Sequence, residues 1–182
     1  MPNGVPPLAS SGVFCATDSI VIDAPRDKVW AALLDFGSYK HWNPFVRNQT
    51  IISPNGSPAP DQTPVEGKTI LMSPVHLPPT MDQPGWGGVH STKVRITTID
   101  HENYRAAWIT AGFPTWLLFC ERWQMLTEVE GGKTRYESIE VFKGPLAYIV
   151  WLWQGTALAK AVTGMAEGLK KWVEQGSQPS PA

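Results

Sequence analysis

Cysteine is scarce: Cys15 and Cys120 stand alone, neither in a CxxC and neither beside clustered histidines. That argues against a zinc site and predicts reduced thiols in a cytoplasmic protein, with a disulfide left open. An excess of either charge is also missing. Fifteen Lys and Arg offset sixteen Asp and Glu, for a net charge of -1, and the signs are interspersed. No basic surface for nucleic acid or an anionic membrane is expected. No apolar run reaches the ~18 residues of a membrane span; "LAYIVWLW" at 146–153 is followed by Gln154 and Lys160. The opening "MPNGVPPLASSGVF" has neither the basic start nor the apolar core of a secretory signal. His41, His76, His90 and His101 lack metal-ligand spacing, and G-x-S-x-G, phosphate-loop and dinucleotide motifs are absent. No metal and no cofactor is therefore expected.

What is abundant is tryptophan, with nine against four tyrosines. Flat apolar side chains suit a core, and equally a small-molecule cavity. The length of 182 residues fits one domain, expected over 15–175, with a flexible leader at 1–14 and a flexible tail at 176–182. "VFCATDSIVID" predicts a strand from its β-branched run. Val29, Trp30, Leu33 and Leu34 repeat at helical spacing, and a second short helix is expected to end before Pro44. Between Pro54 and Gly88 fall eight of the seventeen prolines. Two loops there flank a strand at "GKTILMSPV". The second loop is long, and Trp86 between glycines suits either a lid or a core plug. Four more strands follow, then one helix from Pro145 to about Gln175. Leu158, Ala161, Val162, Met165, Leu169 and Trp172 form its buried stripe.

The most informative stretch is "CERWQMLTEVEGGKTRYESIEVFKG". Gly131-Gly132 reads as a two-residue hairpin turn. Glu130 then faces Lys133 and Glu128 faces Arg135, two opposite-charge pairs on an outer face. The other face pairs Thr127 with Tyr136, Met125 with Ser138, Trp123 with Glu140 and Glu121 with Phe142. Glu121 and Glu140 are thereby expected inside, among aromatics that would raise their pKa values and make them candidates for general acid or base. Competing readings are a structural ion pair with Arg or Lys, and a one-residue slip that turns the carboxylates outward.

The order of elements, with "SIVIDAPRDKVWAALLDFGSYKHWNPFV" at 19–46, "YRAAW" at 104–108, "GGKTRYESIEVFKG" at 131–144 and "MAEGLKKWVE" at 165–174, resembles the START/Bet v 1-like superfamily (SRPBCC), in its polyketide cyclase/dehydrase-like branch. The resemblance implies an α+β helix-grip fold. A curved antiparallel seven-stranded sheet would wrap a long C-terminal helix, with two short helices, around an apolar cavity. In such proteins the "WNP" segment turns the chain into the second strand, so Trp42 and Phe45 pack a corner and Asn43 bonds turn backbone. The family includes enzymes, carriers, receptors and chaperone activators. The first reading is a cofactor-free pocket protein that cyclises, dehydrates or isomerises a hydrophobic polyketide-like or other secondary-metabolite intermediate. Glu121 and Glu140 would be its catalytic groups. Trp86, Trp108, Trp123, Tyr136, Phe142, Trp153 and Met165 would line the ligand. The alternative is a non-catalytic carrier of a metabolite or lipid; a third is a protein-interaction module. The partner is a small hydrophobic molecule, with room left for a homodimer.

Overall fold

The computed structural model describes residues 4–176, so positions 1–3 and 177–182 of the expected leader and tail lie outside it. Strands β1 (Phe14–Ile22), β2 (Gln49–Ile52), β3 (Thr69–His76), β4 (Val89–Asp100), β5 (Arg105–Ala111), β6 (Phe119–Val129) and β7 (Lys133–Lys143) form one antiparallel sheet. Its order is β1-β7-β6-β5-β4-β3-β2. Helices α1 (Arg26–Leu34) and α2 (Tyr39–Trp42) separate β1 from β2, and α3 (Pro145–Glu174) closes the chain. This is the α+β helix-grip architecture that the resemblance implies.

Helix α3 buries Leu158, Ala161, Val162, Met165, Ala166, Leu169 and Val173. The three- and four-residue steps place them on one stripe facing the sheet. Trp172 from the expected stripe is half-buried instead and stacks on the exposed His41 ring. Glycine at 168 lets α3 approach α2: a Cβ there would lie 2.3 Å from the Trp42 carbonyl oxygen. Alanine normally gains about 1 kcal/mol over glycine in a helix. Here the obstacle is backbone, and overpacking of this kind costs about 1–3 kcal/mol. Gly168→Ala should therefore lower stability, by about 1–2 kcal/mol in urea unfolding, against its helix propensity.

The corner after α2 is built as its residues imply. Asn43 is fully buried, and its side-chain oxygen accepts from the backbone N–H of Phe45 at 2.9 Å and of Val46 at 3.1 Å. That satisfies two donors of the turn from a side chain. Trp42 packs behind it, its indole N–H donating to Ser38 Oγ at 3.1 Å.

The β6–β7 hairpin corrects the expected register by one residue. The loop holds three residues, Glu130 to Gly132, and Val129 rather than Glu130 pairs with Lys133. Both glycines take positive φ, 77° and 68°, as expected, but within a longer loop. Pairing is thus Leu126 with Tyr136, Gln124 with Ser138, Arg122 with Glu140 and Cys120 with Phe142. Side chains alternate with a period of two, so one step exchanges the faces of β6. Strand β7 keeps the expected inward face, while β6 turns Cys120, Arg122, Gln124 and Leu126 inward. Glu121, Trp123 and Met125 point to the convex side.

That convex side is partly covered. Residues 9–11 form a short 3-10 turn, and the Val13 N–H donates to the Phe142 carbonyl at 2.8 Å. A depression of about 520 Å³ separates Pro6, Pro7 and Leu8 from Arg95, Ile109 and Glu121. The concave side holds a second, more apolar cavity.

Candidate functional site

Between the concave sheet face and the first half of α3 lies a cavity of about 240 Å³. Its apolar walls include Phe45 and Met72, with Trp108, Phe142, Val150 and Leu158. This is just below the roughly 300–1,000 Å³ of typical small-molecule sites, so a compact ligand fits best. Register explains the floor. Ile96, Trp108, Arg122, Glu140 and Ala16 stand in one row across β4, β5, β6, β7 and β1. The sheet itself delivers one charge pair into an apolar wall.

Arg122 is 3% exposed and Glu140 13%. Arg122 Nη1 lies 3.7 Å from Glu140 Oε2, close enough for ion pairing but too long for a hydrogen bond. Arg122 Nη2 donates to the Met165 thioether sulfur at 3.3 Å, a weak acceptor. Among the described residues, Arg122 Nε and Glu140 Oε2 are buried without a hydrogen-bond partner. The guanidinium also sits 5.6 Å from the Phe45 ring centroid. Burial opposes its charge most strongly, but Glu140 and the phenols of Tyr136 and Tyr39 outweigh that and hold its pKa above the ordinary value. The guanidinium is therefore permanently charged and poorly satisfied.

Cys120 adds a donor at the same place, its thiol donating to Glu140 Oε1 at 3.1 Å. Burial first, then the Glu140 carboxylate, pushes this thiol well above its usual pKa. Cys120 should therefore resist iodoacetamide in the folded protein at about pH 8, where an ordinary thiol reacts. In a Cys15→Ser background, labelling should appear only in denaturant, read by intact mass. Both cysteines are unpaired in the structure.

The structure brings some expected site residues together and separates others. Glu140, Trp108 and Phe142 line the cavity. Phe142 is fixed there by stacking on Phe14, with centroids 4.3 Å apart. Met165 and Tyr136 are on the concave side but do not line the cavity. Met165 touches Arg122, and the Tyr136 hydroxyl donates to Gln124 Oε1 at 2.6 Å. Glu121 and Trp123 are corrected to the convex face, where the Trp123 indole N–H donates to Glu121 Oε1 at 2.9 Å. Glu121 and Glu140 thus lie on opposite sides of the sheet and cannot act on one ligand. Trp86 and Trp153 are not walls: they are 106% and 81% exposed. Trp86 is no core plug either. His90 lines the cavity, whereas His76 Nδ1 bonds the Thr80 carbonyl at 2.8 Å and His101 Nδ1 accepts from the Trp30 indole at 3.1 Å.

Arg122 and Cys120 were missed because the expected turn was one residue short. With three loop residues, the same alternation sets Arg122 beside Glu140. Among the described residues, no group of three His, Cys, Asp or Glu side chains could hold a metal ion.

One long helix gripped by a curved sheet, with an apolar cavity between them, defines a pocket protein for a small hydrophobic ligand. The chain belongs to the family described as "Polyketide cyclase / dehydrase and lipid transport", whose model matches residues 13–174. It is 29% identical over 193 residues to "Oxopyrrolidines biosynthesis cluster protein O" of Penicillium oxalicum, covering 93% of this chain and 90% of that one. Among solved structures it resembles a START superfamily protein of Mycobacterium smegmatis, with TM-score 0.59 and 12% identity over 88% of this chain and 97% of that one. It also resembles truncated norcoclaurine synthase of Thalictrum flavum, with TM-score 0.57 and 16% identity over 87% and 92%. These structural likenesses establish the shared fold.

Proposed function

We propose that this protein is a cofactor-free catalyst that moves a proton on a hydrophobic biosynthetic intermediate, with Glu140 as acid and base. The observation that carries this is the Arg122–Glu140 pair, a buried charge pair facing an apolar cavity with Nε and Oε2 unpartnered. A buried guanidinium without full hydrogen bonding is costly to keep for stability alone. A ligand carbonyl would satisfy it.

Glu140 Oε2 would take a proton from the carbon next to that carbonyl. The electron pair moves onto the carbonyl oxygen, where Arg122 N–H groups stabilise the enolate. Return of the proton to another carbon is an isomerisation. Its delivery to a departing hydroxyl releases water and completes a dehydration. Attack of the enolate carbon on a second carbonyl, whose oxygen takes the proton, closes a ring. The cavity walls hold the chain in the required conformer.

The family and the relative in a biosynthesis cluster support a secondary-metabolite intermediate as substrate. The reading requires no nucleic acid and no second copy of the chain. A cytoplasmic location is part of it, in keeping with two unpaired thiols; among the described residues, no helix is long and apolar enough to cross a membrane.

The test uses an extract of producing cells from which this protein has been deleted. The wild-type protein should convert an accumulated compound into an isomer or a product lighter by one water. Glu140→Gln should retain the compound by native mass spectrometry and leave it unconverted. A compound that binds wild type and is never converted would instead favour the carrier reading.

A further inference from the structure

Glu121 is a buried carboxylate that takes no part in the cavity. It is 6% exposed, and among the described residues its carboxylate receives one hydrogen bond, from the Trp123 indole. Buried charges are normally met by a countercharge or by several donors. The ion pairs among the described residues are Lys68–Asp61, Arg122–Glu140, Lys133–Asp23 and Lys170–Glu174. Glu121 is in none of them, and neither are Arg95 and Lys143.

Those three side chains line the same convex depression of about 520 Å³, together with Ile109 and Phe119. The register fixes their spacing. Arg95 lies opposite Ile109, and Ile109 opposite Glu121, in one row across β4, β5 and β6. Lys143 lies opposite Phe119 in the next row. Lys143 is therefore a diagonal neighbour of Glu121, about 7–8 Å away at the backbone. Arg95 stands two strands from Glu121, roughly 10 Å away. The segment 6–8, with its two prolines, forms the opposite wall.

The charges select the occupant. A simple anion suits Arg95 and Lys143 but meets the Glu121 carboxylate. A simple amine suits Glu121 but meets two cations. A molecule carrying both charges close together satisfies all three. Ile109 and Phe119 call for an apolar remainder. An α-amino acid with an apolar side chain has that form.

We propose that the convex depression is a second ligand site, for a free apolar α-amino acid. The ammonium donates to Glu121, and the carboxylate accepts from Arg95 and Lys143 in charge-assisted hydrogen bonds. The apolar side chain packs on Ile109, Phe119 and Pro7. The sheet separates this site from the cavity, so the proposal stands whether the cavity catalyses or only carries.

The experiment is isothermal titration calorimetry of the full chain with L-leucine and L-phenylalanine at neutral pH. At least one of them should bind saturably, one molecule per chain. Its amide lacks the carboxylate, and its deamino acid lacks the ammonium. Each should bind about tenfold more weakly, or worse, for want of charged hydrogen bonds. Glu121→Gln and Arg95→Gln should weaken binding of the amino acid by a similar factor. The glutamine amide oxygen can still accept from the Trp123 indole, and Arg95 is exposed. Both variants should therefore melt as wild type does. Absence of binding with both amino acids at millimolar concentration would overturn the proposal. Equal affinity for the amide or the deamino acid would do the same, because one of the two charges is then not read. Binding unchanged by either substitution would place the amino acid elsewhere and remove the site.

Discussion

Glu140→Gln should reduce turnover by about 10²–10⁴, the usual contribution of one positioned acid or base, with ligand affinity changed only a few-fold. The amide keeps the shape of the carboxyl and can still accept from the Cys120 thiol. It cannot take the proton. The charge balance of the floor also changes, because Arg122 loses its anion at 3.7 Å. Glu140→Gln therefore leaves a buried cation to be satisfied by the ligand carbonyl alone, which helps retention of the unreacted compound. Glu121→Gln is the control. Glu121 is a carboxylate on the same strand pair, bonded by the Trp123 indole, but the sheet stands between it and the cavity. Its loss should leave turnover within about twofold, as expected of a side chain outside the reacting site. Equal loss in both variants would remove the assignment of Glu140.

Trp123→Ala should be the most destabilising single truncation among the expected ligand residues, by about 3–5 kcal/mol. Trp123 has no exposed surface. Its ring sits on the convex face opposite Ala107 and Ile139, and its N–H satisfies Glu121. Removing it leaves a void and a buried carboxylate short of a donor, which adds to the cost. For a domain of this size the melting temperature should fall on the order of 10 °C. The folded fraction should still bind the ligand with wild-type affinity, because the cavity lies across the sheet. Trp108→Ala should show the reverse emphasis. Its ring lines the cavity, so affinity should fall together with stability. Urea unfolding and native mass spectrometry on the two variants separate wall from support.

The contrast between these tryptophans shows how far the residues alone could lead. Strands, helices and the final stripe of α3 follow from local periodicity, and each is present within a few residues of its expected place. The role of Asn43 was legible because an Asn side chain commonly bonds turn backbone, in a segment that the resemblance marks as a turn. The facing of β6 was not. Its alternation offers two sides, one bearing Trp123 and Met125, the other Leu126 with the polar Arg122 and Gln124. Hydrophobicity favours the first as the inner face. The fold chose the second, because the sheet curls its Trp108 row toward α3 and β6 must match that row. A site that needs an inward charge departs from the pattern by which inner faces are recognised.

By itself, then, the amino-acid sequence determined the order of elements, the inward face of β7 and the candidacy of Glu140, which follow from local periodicity, while the helix-grip architecture and the family followed from the motifs that carry the resemblance. Only the tertiary structure decided that Arg122 and not Glu121 stands with Glu140, that Trp123 is support and not wall, and that Trp86 and Trp153 face outward. The first two of those outcomes turn on one extra residue in the loop between Val129 and Lys133. A turn of two and a turn of three differ little in local energy, whereas each reverses every side chain of the strand it feeds. The choice is made by the packing of the whole sheet.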